Sequence, residues 1–260
     1  MKTDPRTFLP DGTVTQTYSI VSPFAELMTN GSIGTQALFG QRFDVITKSD
    51  DNAHGALYSV LSGVDRVDYI GSLPMADIAQ GSFTPTHIVH AVAATVFQAA
   101  DIKSKLLGAL PRNATIFGET DGDFVRVQRV GYVHCRHLRR IGQASARSFV
   151  DHAIDMLNLP YVWGGTGGIG VDCSGLVQSA LAAVGVDAPR DADLQEAELG
   201  RAVSYADRQV GDLLYWPGHV GIVIEGDQLL HANAYHMCVA VEPVAEAVSR
   251  IGEVRTVKRL

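Results

Sequence analysis

A chain of 260 residues has room for two or three compact domains, and its 46% hydrophobic and 19% charged residues are those of an ordinary globular protein. A formal net charge of −7 argues against a nucleic-acid surface, which needs clustered Lys and Arg to hold phosphates. Three cysteines, Cys135, Cys173 and Cys238, are odd in number and form no C-x-x-C pair. Neither a disulfide framework nor a structural zinc site is therefore expected, and a reducing compartment suits them.

Residues 1–12 lack the basic start and apolar run of a secretory signal, and no window approaches the ~18 unbroken apolar residues of a membrane helix. The chain is expected to be cytoplasmic, with no membrane partner. Two stretches then resemble each other, residues 35–71 and 114–134, as short alternating strands broken by Gly, Asp and Asn turns. The repetition predicts two small β-barrels, at residues 12–80 and 81–142, similar to bacterial SH3-like domains.

Near residue 143 the pattern becomes helical. Phe149, Val150, Ala153, Ile154 and Leu157 recur at helical spacing within residues 145–157, and Pro160 stops that helix near Asn158. A second helix is expected over 174–184, from Leu176, Val177, Ala180, Leu181 and Val184, with Gly185 as its C-terminal cap. Strands follow at 212–216, 219–224 and 228–232, so residues 143–260 form an α+β domain.

The loop at 161–170 carries five glycines and runs into Val171, Asp172 and Cys173. Cys173 thus stands at a helix start, where unpaired N–H groups and the helix dipole favour a thiolate and can hold an oxyanion. Asp172 has the alternative of a plain N-cap. A phosphate-binding loop would need Gly-Lys-Ser/Thr here, and no lysine is near. His219 opens one strand and His231 lies on the next. With a three-residue turn, Ile224 faces Gln228 and His219 faces Asn233, placing His231 on the same face as a diagonal neighbour at roughly 7 Å. One imidazole could accept the Cys173 proton while the other fixes its tautomer. A Cys-His-His zinc site is the competing use of the trio, but it lacks an evident fourth ligand. His54, His87, His90, His134, His137, His152 and His236 are read as surface or polar-core residues.

Five motifs occur in order: residues 161–165, 171–178, 211–214, 218–222 and 229–232. Together they resemble the NlpC family of papain-like cell-wall cysteine peptidases, over residues 143–260. The resemblance implies a papain-like domain in which Cys173 attacks the bond between γ-D-glutamate and a diamino acid, diaminopimelate or lysine, in murein peptides. His219 would be base and then acid, His231 its orienter, and Tyr161 the tyrosine over the nucleophile; no cofactor or metal is implied. Asp172, Ser174, Arg190 and Trp163 are carried over as substrate-binding. Asp191, in Pro189-Arg190-Asp191, resembles the aspartate that binds a substrate amine, with Tyr69 as a second wall; an N-cap is the plain alternative for Asp191. Ala192 departs from the family serine, and Gln41 from a frequent glutamate. The implied role is murein-peptide recycling; an acyltransferase or amidase, or a silent murein-peptide binding module, are the competing readings.

Overall fold

The computed structural model describes residues 4–61, 65–143 and 145–260, so the first three residues of the leader reading lie outside it. The chain divides into two compact units, Met1–Gln143 and Ala144–Leu260.

In the first unit, seven strands lie side by side, all antiparallel, in the order Ser32–Leu38, Phe24–Thr29, Val67–Pro74, Asn52–Tyr58, Arg42–Lys48, Gln16–Ile20 and Ile78–Gln80. Ile20, Leu27, Phe43, Leu57 and Leu73 fill one core beneath them. Further along, a five-stranded and a three-stranded sheet cover a second core that includes Val89, Val96, Ile116, Val125 and Val133. The strands were expected to close as barrels. Closure requires the two end strands to pair. Strands Ser32–Leu38 and Ile78–Gln80 instead end the seven-strand order, and no closed barrel forms among the described residues.

The second unit begins with helix Phe149–Ile154. It starts at Phe149, the first apolar position, where Ser148 and Asp151 form a reciprocal capping box that fixes the first turn, and it ends at Ile154, short of the expected stop near Asn158. Asn158, at φ +68°, ends the segment before Pro160. The helix Cys173–Ala183 is almost wholly buried. Gly185, at φ +82°, lets its own N–H reach the Ala182 carbonyl and the Val186 N–H reach that of Leu181.

After the short helix Ala192–Glu198 comes a six-stranded antiparallel sheet. Its order is Arg201–Val203, Thr256–Arg259, Leu213–Trp216, His219–Ile224, Gln228–Asn233 and Cys238–Pro243. The central hairpin has the expected register, with Ile224 opposite Gln228 and Ile222 opposite Leu230. A fourth helix, Val244–Ile251, was not expected; Val244, Ala247 and Val248 at helical spacing seat it on the sheet core with Trp216 and Leu229.

Candidate active site

Cys173 is the first residue of its helix and Asp172 the residue that caps it. The Asp172 carboxylate does more than cap. Oδ1 accepts from Gly175 N (2.7 Å), Arg190 Nη1 (3.0 Å) and Ser174 Oγ (3.3 Å). Oδ2 accepts from Gly164 N (3.0 Å) and Arg190 Nη2 (2.6 Å). Arg190, only 2% exposed, also donates to Ser174 Oγ at 2.9 Å. The glycine-rich loop and the helix are thereby locked together. Gly175 is needed for the fit, since a Cβ there would lie 2.0 Å from the Gly165 carbonyl oxygen. Asp172, Ser174 and Arg190, carried over as substrate-binding groups, thus bind one another beside Cys173.

The Cys173 sulfur is held on the other side by the strand that carries His219. It lies 4.0 Å from the Gly218 carbonyl, and the Val220 N–H also points to it. His219 Nε2 is 2.9 Å from His231 Nδ1, with ring centroids 5.1 Å apart, as the diagonal hairpin placement requires. His231 is fully buried. Its Nε2 lies 2.7 Å from Glu242 Oε1, and Arg250 grips that carboxylate through Nη1 at 2.9 Å and again through Nη2.

The electrostatics correct one expectation. A helix start favours a thiolate, and the Val220 and Ser174 N–H groups act in that direction. Burial outweighs them, with the Asp172 charge adding to it, and pushes the thiol up to about 11. Burial also pulls His219 down to about 4, helped by His231 and Arg250 and opposed by Glu242. His231 likewise sits at about 4, through burial, against the opposing charge and hydrogen bond of Glu242. Both shifts favour the neutral thiol and the neutral imidazole.

Residues 158–252 match the NlpC/P60 family. The C-terminal unit is an NlpC/P60 cysteine peptidase domain. A γ-D-glutamyl-L-lysine dipeptidyl-peptidase of Bacillus subtilis is 28% identical over 247 residues, covering 85% of this chain and 79% of that protein. The peptidoglycan endopeptidase RipB of Mycobacterium tuberculosis is 35% identical over 129 residues, and this similarity spans 42% of the chain and 53% of RipB. The solved structure of an NlpC/P60 family protein from Bacillus cereus shares the fold over 94% of this chain and 99% of its own, with a TM-score of 0.77 at 20% identity.

Within the peptidase domain, Tyr161 is close enough to Cys173 for burial, then the Cys173 and Asp172 charges, to raise its phenol to about 12. Trp163 projects from the glycine-rich loop, 67% exposed. Asp191 holds the N-cap position of helix Ala192–Glu198, yet its side chain makes no capping bond. Tyr69 belongs to the first unit, 8% exposed among the residues of its first core. Gln41, also there, is occupied: Oε1 accepts from Leu38 N (2.5 Å) and Nε2 donates to the Tyr58 carbonyl (2.8 Å).

Among the described residues, His231, His236 and Glu242 bring ligand-type atoms within 4.8 Å of one another. Both ring nitrogens of His231 are already hydrogen-bonded, so it serves the hydrogen-bond chain. Glu242 and Arg250 were missed by the sequence motifs. The signal for Glu242 was the strand register: His231 pairs with Ala240, which puts Glu242 two positions on, on the same face.

Proposed function

We propose that the protein is a cysteine endopeptidase that hydrolyses the γ-D-glutamyl–diamino acid bond of murein peptides such as L-Ala-γ-D-Glu-diaminopimelate. The observation that carries this reading is the Cys173 sulfur seated at a helix start between Gly218 and Val220, with His219 bonded to His231. The activity in the name of the Bacillus subtilis relative supports the bond chosen. Cys173 gives its proton to His219 as the sulfur bonds to the γ-carbonyl carbon. First-turn N–H groups, with the Tyr161 hydroxyl, face the oxyanion. The C–N bond then breaks, His219 protonates the leaving amine, and a thioester remains. Water, deprotonated by His219, attacks it to release the γ-carboxylate and restore the thiol.

In this reading Asp191 meets the substrate amine and Trp163 borders the groove. The first unit supplies two SH3-like modules, at 12–80 and 81–142. The three free thiols suit a cytoplasmic enzyme that recycles small peptides. The test is hydrolysis of L-Ala-γ-D-Glu-diaminopimelate and its lysine counterpart, followed by mass spectrometry. Wild type should cleave at the γ-glutamyl bond, and Cys173→Ala should leave both peptides intact. A folded wild type inert toward a panel of such peptides would overturn the assignment.

A further inference from the structure

Behind the imidazoles stands a charged pair from a strand and a helix that carry no family motif. Glu242, 6% exposed, lies in strand Cys238–Pro243, and Arg250 in the last turn of helix Val244–Ile251. Arg250 is itself steadied by the Tyr235 ring, whose centroid lies 4.3 Å from its guanidinium carbon. Burial alone would raise the Glu242 carboxyl, but the bonds and charge of Arg250, with the hydrogen bond to His231, more than offset it, so the group stays ionised.

An ionised carboxylate only accepts hydrogen bonds. The 2.7 Å contact therefore requires a hydrogen on His231 Nε2. His231 Nδ1 is then a lone pair, and its 2.9 Å contact requires a hydrogen on His219 Nε2. That leaves His219 Nδ1 as the basic nitrogen. With the opposite tautomer of His231, its Nδ1–H would donate to His219 Nε2 and force the His219 hydrogen onto Nδ1, closing the base.

We propose that Glu242 and Arg250 are positioning residues that set the tautomers of both imidazoles and keep His219 Nδ1 open as the base for the Cys173 thiol. This rests on the reading of Cys173, His219 and His231 as the reacting set. The charged and titratable groups that face the two rings are His236 from the following turn, 6.3 Å from His231 between ring centroids, Glu242 from its strand and Arg250 from its helix; Glu246 faces Arg250, and the Cys173 sulfur lies against the carbonyl of Gly218, the residue before His219.

Two measurements on the full chain test the proposal. The first uses 15N-histidine-labelled protein without substrate. Both His219 and His231 should be Nε2–H at neutral pH, and in Glu242→Gln both rings should gain the Nδ1–H form together, because the amide can donate as well as accept. A wild type with Nδ1–H on either ring, or a folded Glu242→Gln with both rings unchanged, overturns it.

The second is the pH profile of kcat/KM on a γ-D-glutamyl peptide. Removing the carboxylate takes away a charge that favours imidazolium, so Glu242→Gln should move the acidic limb to lower pH, with about a tenfold loss at neutral pH for a tautomer bias of one pKa unit. Arg250→Gln removes a charge that opposes imidazolium and should move the limb to higher pH. Limbs that stay in place, or move the same way, overturn the proposal. If Glu242→Gln does not fold, the wild-type spectrum and Arg250→Gln still decide. If wild type cleaves no such peptide, the proposed activity fails while the tautomer spectrum still judges the proposal.

Discussion

Two buried clusters meet at Cys173, and both are built around a carboxylate held by an arginine. In the first, Asp172 and Arg190 bind each other, Ser174 and the backbone of Gly164 and Gly175. It is a closed set of bonds, and it fixes where the helix begins. In the second, Glu242 and Arg250 bind each other and then His231, which binds His219. It is an open chain, ending on a ring that can take a proton. The same ion pair is an anchor when it bonds to fixed backbone and a proton-positioning device when a two-tautomer ring lies between it and the reacting atom.

The comparison is sharpest if the two clusters fail differently. His219→Ala should lower kcat/KM by about 10²–10⁴-fold with the melting temperature retained, the scale of a lost general base. A parallel collapse of folding, seen by circular dichroism, would remove the distinction. Arg190→Met should instead destabilise the domain by about 3–5 kcal/mol in denaturant titrations, because it strands the buried Asp172 charge. An Arg190→Met protein of wild-type stability would show that the anchor is no anchor.

Gly175→Ala, whose Cβ meets the Gly165 carbonyl, should cost about 1–3 kcal/mol by overpacking, with kcat following the displaced helix start. A separate effect concerns acid. The folded-state values of His219 and His231 lie below the ordinary 6.5, so the unfolded chain binds protons first as pH falls. The contribution of these two rings to stability should be flat above about pH 6.5 and decline between there and about pH 4. The acidic limb of kcat/KM should lie near the lower end of that window. A melting temperature constant from pH 7 to 4.5 would contradict the burial of neutral rings.

Much of the candidate site was legible because its signals are local. The helix at Cys173 was written in a 3.6-residue apolar stripe and a terminal Gly185, and the His219–His231 meeting in period-two strands around a three-residue turn. Glu242 obeyed the same diagonal rule across the next strand pair, but that pair is joined through residues 234–237 and carries no motif, so the register could not be counted from the turn. Helix Val244–Ile251, and with it Arg250, followed a strand too closely to stand out. The short strands of residues 12–142 were readable as strands; whether they closed was not, since closure depends on which end strands pair.

The sequence by itself determined the helix start beneath Cys173, the same-face placement of two histidines and the glycines that permit close packing, because each depends on neighbours a few residues away. Tertiary structure alone decided what the polar groups do. Arg190 reaches Asp172 across 18 residues and turns three candidate substrate contacts into an anchor. Burial reverses the expected thiolate at Cys173, because desolvation depends on everything packed around the sulfur rather than on the helix that carries it.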